Sequence, residues 1–318
     1  FEVFAAHDIE YFFYNGGGDS QDTTFKVSEM AKKLKFPLKC VGIPKTVDND
    51  LPYTDCSPGF GSVAKYIATS TLEAGLDVKS MAETSTKVFI LEVMGRHAGW
   101  IAAASCLAAT KAGDPPHIIL LPEVPFEKTK FITQVKQTVK EQGYCVIVAS
   151  EGTQTKNGKF LADSGLTDAF GHKQLGGVAP VLAGMISKIG LKNHWAVADY
   201  LQRSARHLAS KTDLDQAYAV GEHAVKLAIA GKTALMPIIK RTSDSPYKWK
   251  IATAPLKNVA NIEKTMPKKF ISKNGFEITQ AGKTYLSPLI KGEAPIKYVN
   301  GLPDIAELKK IKVKKRLS

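Results

Sequence analysis

The sequence predicts an α/β protein of two lobes, each a mainly parallel sheet covered by helices, and three observations predict it. At 318 residues the chain is long enough for one large or two medium domains, each with its own core. A strand-like run that ends on a glycine loop and passes into a helical pattern occurs twice. Further short apolar runs alternate with helix-like segments, the order that builds a parallel sheet with its ligands at the carboxyl ends of the strands.

The chain opens on Phe1-Glu2-Val3-Phe4-Ala5-Ala6, which reads as the tail of a helix, so a preceding segment is expected. Ile9 to Tyr14 is aromatic and β-branched, stops at Asn15-Gly16-Gly17-Gly18, and is followed by a helical pattern from about Thr23 to Leu34. Pro37 to Gly42 predicts the next strand. Val88 to Val93 is a buried-type strand that ends at Met94-Gly95-Arg96 and gives way to a small-residue helix from Gly99 to Ala109. Strands over His117 to Leu121 and Tyr144 to Ser150 flank a helix over Lys128 to Gln142. From Ala196 to Gly231 the pattern is helical, including Asp213 to Ala230. After Ser243 the chain turns rich in Pro, Lys and Asn with weak periodicity, which predicts a surface-wrapping extension and not a third domain.

An apolar content of 44% with 23% charged residues is ordinary globular composition, and no apolar run approaches the ~20 residues that span a bilayer. Phe1 to His7 shows no secretion signal, so a cytoplasmic protein is expected. Cys40, Cys56, Cys106 and Cys145 are far apart and read as free thiols, with neither a disulfide framework nor a zinc site. The net charge of +13 admits affinity for nucleic acid or for small anions. Part of it lies in Lys309, Lys310, Lys312, Lys314, Lys315 and Arg316, a terminal run without interleaved aromatics that reads as a solvated tail. The histidines, His172 and His194 included, fall into no metal-ligand spacing.

Gly16-Gly17-Gly18-Asp19-Ser20, between a strand and a helix, sets free backbone N–H groups beside a helix amino terminus. That suits a phosphate, and equally an ordinary tight turn. Gly42-Ile43-Pro44-Lys45-Thr46-Val47-Asp48-Asn49-Asp50 carries a cation, a hydroxyl and two carboxylates on one loop after a strand. A lysine there neutralises phosphate charge while an aspartate removes a proton from an attacking hydroxyl.

Pro44-Lys45-Thr46-Val47-Asp48-Asn49-Asp50, Pro58-Gly59-Phe60-Gly61-Ser62, Val93-Met94-Gly95-Arg96-His97-Ala98-Gly99-Trp100 and Ser150-Glu151-Gly152 together resemble the phosphofructokinase family, most of all its pyrophosphate-dependent branch. The resemblance runs in order from Phe1 to about Gly231. It implies a phosphofructokinase-like fold and reversible transfer of a phosphoryl group from pyrophosphate to the 1-hydroxyl of fructose 6-phosphate, with Mg2+ as cofactor. Asp48 becomes the base that takes the hydroxyl proton, with Lys45 and Asp19 beside it as catalytic residues. Thr46, Val47, Asp48, Met94, Gly95, Arg96, Glu151, Tyr200 and Arg203 become the sugar-phosphate contacts. Lys87 falls where ATP-using relatives carry an arginine that reaches a neighbouring subunit's sugar phosphate, which goes with a homo-oligomer, a dimer being favoured. Gly17, Gly18, Asp19 and Lys45 become the donor-phosphate site. Residues 1–60 with 204–255 would form the donor-side lobe, 61–203 the sugar-side lobe and 256–318 the carboxy-terminal extension, the chain crossing near Pro58 to Ser62 and returning near Tyr200 to Ala205.

The sequence departs from the family pattern in two places. The family's first strand and glycine loop, and an arginine-bearing stretch behind them, have no counterpart in it, so the donor site is expected to be incomplete and this chain alone inactive. Gly18 stands where ATP-using relatives hold a metal-associated aspartate, which leaves Asp50 and the donor's own oxygens as candidates to hold Mg2+. Asp19 stands where those relatives have glycine, and Lys45 where they commonly have glycine; together they point to pyrophosphate and against ATP, the plainer alternative being that Asp19 caps the following helix. An ATP-dependent phosphofructokinase and a catalytically silent regulatory subunit of the same fold are the other readings, with nucleic-acid binding behind them.

Overall fold

The computed structural model describes residues 1–167, 173–175 and 177–317, and of 163–167 and 173–175 the backbone alone; His172 lies outside the described residues. After a short helix α1 (Glu2–Ala6), strand β1 (Tyr11–Gly16) leads into helix α2 (Gly18–Lys33), and strand β2 (Lys39–Pro44) lies parallel to β1. The register pairs Tyr11 with Lys39 and Gly16 with Pro44, so the two strands end side by side and their loops emerge together. Helix α3 (Phe60–Met81) then carries the chain to a second sheet.

That sheet takes strand β3 (Val88–Val93), helix α4 (Trp100–Ala104) continued by a 3-10 turn, strand β4 (Ile118–Leu120), helix α5 (Lys128–Gln142) and strand β5 (Cys145–Ser150). A small pair β6 (Asp163–Thr167) and β7 (Lys173–Leu175), helix α6 (Val178–Ser187) and strand β8 (Asn193–Val197) complete it. Its four strands run parallel in the order β4-β5-β3-β8. Every residue of β5 is buried, because helices cover both faces of the sheet. Buried Glu92 in β3 is the polar exception: its carboxylate accepts from the N–H groups of Gly177 (2.9 Å) and Ala179 (2.8 Å), capping the positive end of α6.

Helices α7 (Asp199–Ser204) and α8 (Lys211–Ile229) return the chain to the first sheet, where strands β9 (Leu235–Asp244) and β10 (Tyr247–Pro255) form an antiparallel hairpin and Val41 of β2 pairs in parallel with Leu235. The sheet order is β1-β2-β9-β10. Asp213, at the start of α8, accepts from the N–H groups of Gly59 (2.8 Å) and Ser62 (3.1 Å), and a Cβ on Gly61 would lie 2.6 Å from the Leu289 carbonyl oxygen. The Pro58-Gly59-Phe60-Gly61-Ser62 motif is thus occupied in joining α3 to α8. The four cysteines are unpaired and buried.

Several elements differ from the expectation. Helix α2 starts at Gly18, not Thr23, because its first turn is polar and shows no apolar period. Ala196 and Val197 belong to β8. The chain after Ser243 does not simply wrap the surface. The hairpin continues the first sheet, and Met266, Phe270, Phe276, Ile278, Leu286 and Leu289 are buried. Phe270 and Tyr285, the latter on helix α9 (Gln280–Leu286), pack on Trp100 with ring centroids 6.2 and 5.3 Å away. The polar residues Lys240 to Asp244, which alternate between the faces of β9, disguise that strand in the sequence. Beyond a last small hairpin, β11 (Tyr298–Val299) with β12 (Leu302–Pro303), the residues 304–317 carry no regular structure and are nearly all exposed. No helix among the described residues is long and apolar enough to cross a membrane.

Candidate active site

The two sheets bring their strand ends to one cleft of about 760 Å3. On the first sheet, the Gly16–Pro44 register sets the amino terminus of α2 against the loop after β2. Gly17, Gly18, Asp19 and Ser20 line the cleft there beside Thr46, Val47, Asp48 and Asp50. On the second sheet, Val93 is paired with Ser150, so the loops that follow carry Met94 and Arg96 next to Glu151. Arg203 on α7 completes this wall.

The two loops of the second sheet are interlocked. The Gly95 N–H faces Glu151 Oε1 at 3.3 Å, and Ser150 Oγ donates to the Gly95 carbonyl at 2.5 Å. Gly95 holds φ +131, which suits glycine alone. A Cβ on Gly152 would meet the Arg96 carbonyl oxygen at 2.0 Å, backbone against backbone, so one loop or the other would have to move. Gly152→Ala is expected to displace Arg96 and lower kcat/KM by roughly 10–100-fold, since a 1 Å misplacement costs on that order; steady-state kinetics on the full-length protein checks it.

On the loop after β2, Thr46 Oγ1 donates to Asp48 Oδ2 at 3.2 Å and accepts from the Asp48 N–H at 3.1 Å. Burial pushes Asp48 above the ordinary carboxylate range, against the opposing pull of the Thr46 hydroxyl and the Arg96, Lys45 and Arg203 charges. Burial likewise raises Glu151. Asp50 is pushed up to about 6 by burial and by the neighbouring charges of Asp48 and Glu263, and its buried Oδ1 has no hydrogen-bond partner. A carboxyl whose folded pKa lies above its unfolded value destabilises the fold when ionised, and that cost disappears as the pH falls from about 6 to about 4. Asp50→Asn is therefore expected to stabilise the divalent-free protein at pH 7.5 by roughly 1–3 kcal/mol and to match the parent below about pH 4, as urea unfolding at the two pH values would read.

Of the residues named from the sequence, Gly17, Gly18, Asp19, Thr46, Val47, Asp48, Asp50, Met94, Arg96, Glu151 and Arg203 line this cleft, and Gly95 stands directly behind it. Lys45 does not line it: the residue is exposed, although its charge still bears on Asp48. Tyr200 supplies a ring under the Arg203 guanidinium at 4.1 Å rather than a wall. Lys87 precedes β3, at the end away from the cleft, and donates to the Ala82 carbonyl at 2.5 Å. His194 lies on β8 and is not among the lining residues.

Sequence reasoning missed other residues. Buried Gln202 offers Oε1 to the Met94 N–H at 3.4 Å. The segment Asn261-Ile262-Glu263 forms part of the wall, with Glu263 against His97 Nδ1 at 3.0 Å and Asn261 donating to Asp22 at 3.0 Å. That segment has no periodicity, and nothing local in the sequence marks it.

The arrangement can seat two anions: one against the helix amino terminus and one against the guanidinium groups of Arg96 and Arg203, with a base between them. Comparison with known proteins agrees. The family model described as Phosphofructokinase matches residues 1–228. The chain is 64% identical over 317 residues to the pyrophosphate–fructose 6-phosphate 1-phosphotransferase of Halomonas elongata, covering 99% of this chain and 76% of that protein. To the protein of the same name from Methylococcus capsulatus it is 58% identical over 318 residues, with 100% and 76% covered. The crystal structure of pyrophosphate-dependent phosphofructokinase from Marinobacter aquaeolei superposes with a TM-score of 0.92 at 60% identity, covering 100% of this chain and 76% of that one. By its motifs, its paired sheets and this likeness over its whole length, the chain belongs to the phosphofructokinase family.

Proposed function

We propose that the full-length protein to which this chain belongs transfers a phosphoryl group from pyrophosphate to the 1-hydroxyl of fructose 6-phosphate, reversibly, giving fructose 1,6-bisphosphate and phosphate. The observation that carries the reading is Asp48, held by Thr46 between the α2 amino terminus and the Arg96–Arg203 wall. Relatives at 58–64% identity, named for this reaction, support the donor. They weigh against an ATP-dependent or silent relative of the same fold.

Asp48 accepts the proton of the 1-hydroxyl as that oxygen bonds to the nearer phosphorus of pyrophosphate, and the bridging P–O bond breaks to release phosphate. Its raised proton affinity suits it to the task. Arg96 and Arg203 fix the 6-phosphate by charge and directed N–H groups, while Glu151 accepts from sugar hydroxyls. The free N–H groups of Gly18, Asp19 and Ser20 receive donor oxygens at the positive end of α2.

The family's Mg2+ fits these residues. Asp50 offers a buried carboxylate oxygen with no other partner, and a Cβ on Gly18 would meet nothing within 4 Å, so the cleft is open beside it. Among the described residues no group of three or more His, Cys, Asp or Glu is placed to hold a metal. Asp50 would therefore hold the ion together with donor oxygens and water, a mode that Mg2+ accepts. Bound there, the ion offsets charge on the donor. We also take the enzyme to be a cytoplasmic homodimer in which Lys87 faces a second copy, because within its own chain it is turned away from the cleft.

Phosphorus NMR on the full-length protein tests the reaction. Pyrophosphate should be consumed and a 1-phosphate ester should appear only when fructose 6-phosphate is present. Hydrolysis of pyrophosphate without ester formation would sink the proposal.

A further inference from the structure

We infer that Lys264 is a positioning residue for this reaction: seated beneath the loop after β2, its ammonium holds Asp48 and Asp50 at the cleft. The inference rests on the roles just proposed for those two aspartates.

The loop needs holding. It turns at non-glycine residues in the left-handed region, Asn49 at φ +55 and Tyr53 at φ +67, and such conformations persist where the surroundings fix them. Asn49, fully buried between the two aspartates, accepts from the Ser57 N–H at 2.9 Å and donates to Tyr285 Oη at 3.0 Å. Lys264 Nζ donates to the carbonyls of Thr54 and Asp55, each at 3.0 Å, and faces Asn49 Oδ1 at 3.4 Å. The protons of one ammonium thus meet acceptors at separate points of one loop. The main chain of Lys264 adds to this. Its N–H donates to the Asp50 carbonyl at 2.6 Å, and its carbonyl accepts from Trp100 Nε1 at 3.0 Å, at the start of the helix that follows Met94-Gly95-Arg96. One residue therefore fastens the aspartate loop to the sugar-side lobe.

These acceptors are neutral, and the Asp55 carboxylate is already engaged by Arg241 Nε at 3.0 Å. The ammonium is enclosed, with the Asp50 and Asp55 charges near it and the Trp100 ring centroid 5.4 Å from Nζ, and an apolar replacement would leave the loop carbonyls without a donor. The cation is accounted for by what it holds. Ile262 and Glu263, immediately before it, line the cleft, so the segment reaches the site without placing Lys264 in contact with substrate.

The test compares Lys264→Met and Lys264→Arg in the full-length protein with fructose 6-phosphate and pyrophosphate. Lys264→Met is expected to lose roughly 10–100-fold in kcat while KM for fructose 6-phosphate changes less, within about threefold, because geometry at the base is disturbed while Arg96, Arg203 and Glu151, on other elements, stay in place. Lys264→Arg, which keeps charge and donors, should recover most of the loss. A parental kcat in Lys264→Met, or equal loss in both variants, overturns the inference. Amide exchange at Asp55 and Ser57 reads the loop without turnover: it should quicken about 10-fold or more in Lys264→Met, and unchanged protection counts against the role. Should Lys264→Met not fold, the same kinetic and exchange readings on Lys264→Gln, which removes the charge and keeps a polar side chain, decide, and parental values there overturn the idea. A parent that fails to use pyrophosphate refutes the proposed function, while the exchange result still judges Lys264.

Discussion

Replacing Asp48 by asparagine is expected to lower kcat by about 10²–10⁴-fold, the range that a lost general base typically costs. Asparagine keeps the shape and accepts the Thr46 hydroxyl, so the loop and the affinity for fructose 6-phosphate should change little. The pH profile gives a second reading. Burial holds Asp48 above the ordinary carboxylate range, so in the parent kcat should fall with decreasing pH at higher values than an exposed aspartate would give. That acidic limb should vanish in Asp48→Asn. Near-normal turnover in the variant would remove Asp48 as the base.

The second large effect is expected at Asp19. Its backbone belongs to the first turn of α2, whose amino-terminal cap is Gly17, and no side chain caps that helix. The capping explanation for Asp19 therefore fails, and the residue is among those that line the cleft. The resemblance implies glycine at the matching position in ATP-using relatives, where the nucleotide's α-phosphate would pass close to the backbone. A carboxylate there opposes that phosphate by bulk and by charge, a like-charge juxtaposition worth several kcal/mol. Pyrophosphate stops short of it. Asp19→Gly should raise kcat/KM for ATP and lower that for pyrophosphate, with the ratio moving by roughly 100-fold or more; an unchanged ratio would take Asp19 out of the explanation.

Much of this site was legible because its residues sit where strands end. Val88 to Val93 and Lys128 to Gln142 match β3 and α5 in full, since a continuous buried run and a clean helical period leave little choice. Once the strands are placed, register brings Arg96 beside Glu151 and Thr46 beside Gly17. Lys45 is less legible: the sequence puts it on the right loop, and the structure leaves it exposed at the edge of the cleft with its charge still acting on Asp48. The segment Asn261 to Lys264 was invisible. Its residues are polar and aperiodic, and they join the site only through distant partners such as Asp22, Asp50 and Trp100. Buried polar support from a remote stretch of chain leaves no local pattern to read.

The most direct measurement is the initial rate of fructose 1,6-bisphosphate formation by the full-length protein with pyrophosphate and with ATP, side by side at saturating fructose 6-phosphate and Mg2+. The account predicts strong preference for pyrophosphate, with kcat/KM at least about 100-fold above that for ATP. A protein that prefers ATP, or that forms no bisphosphate from either donor, would contradict it.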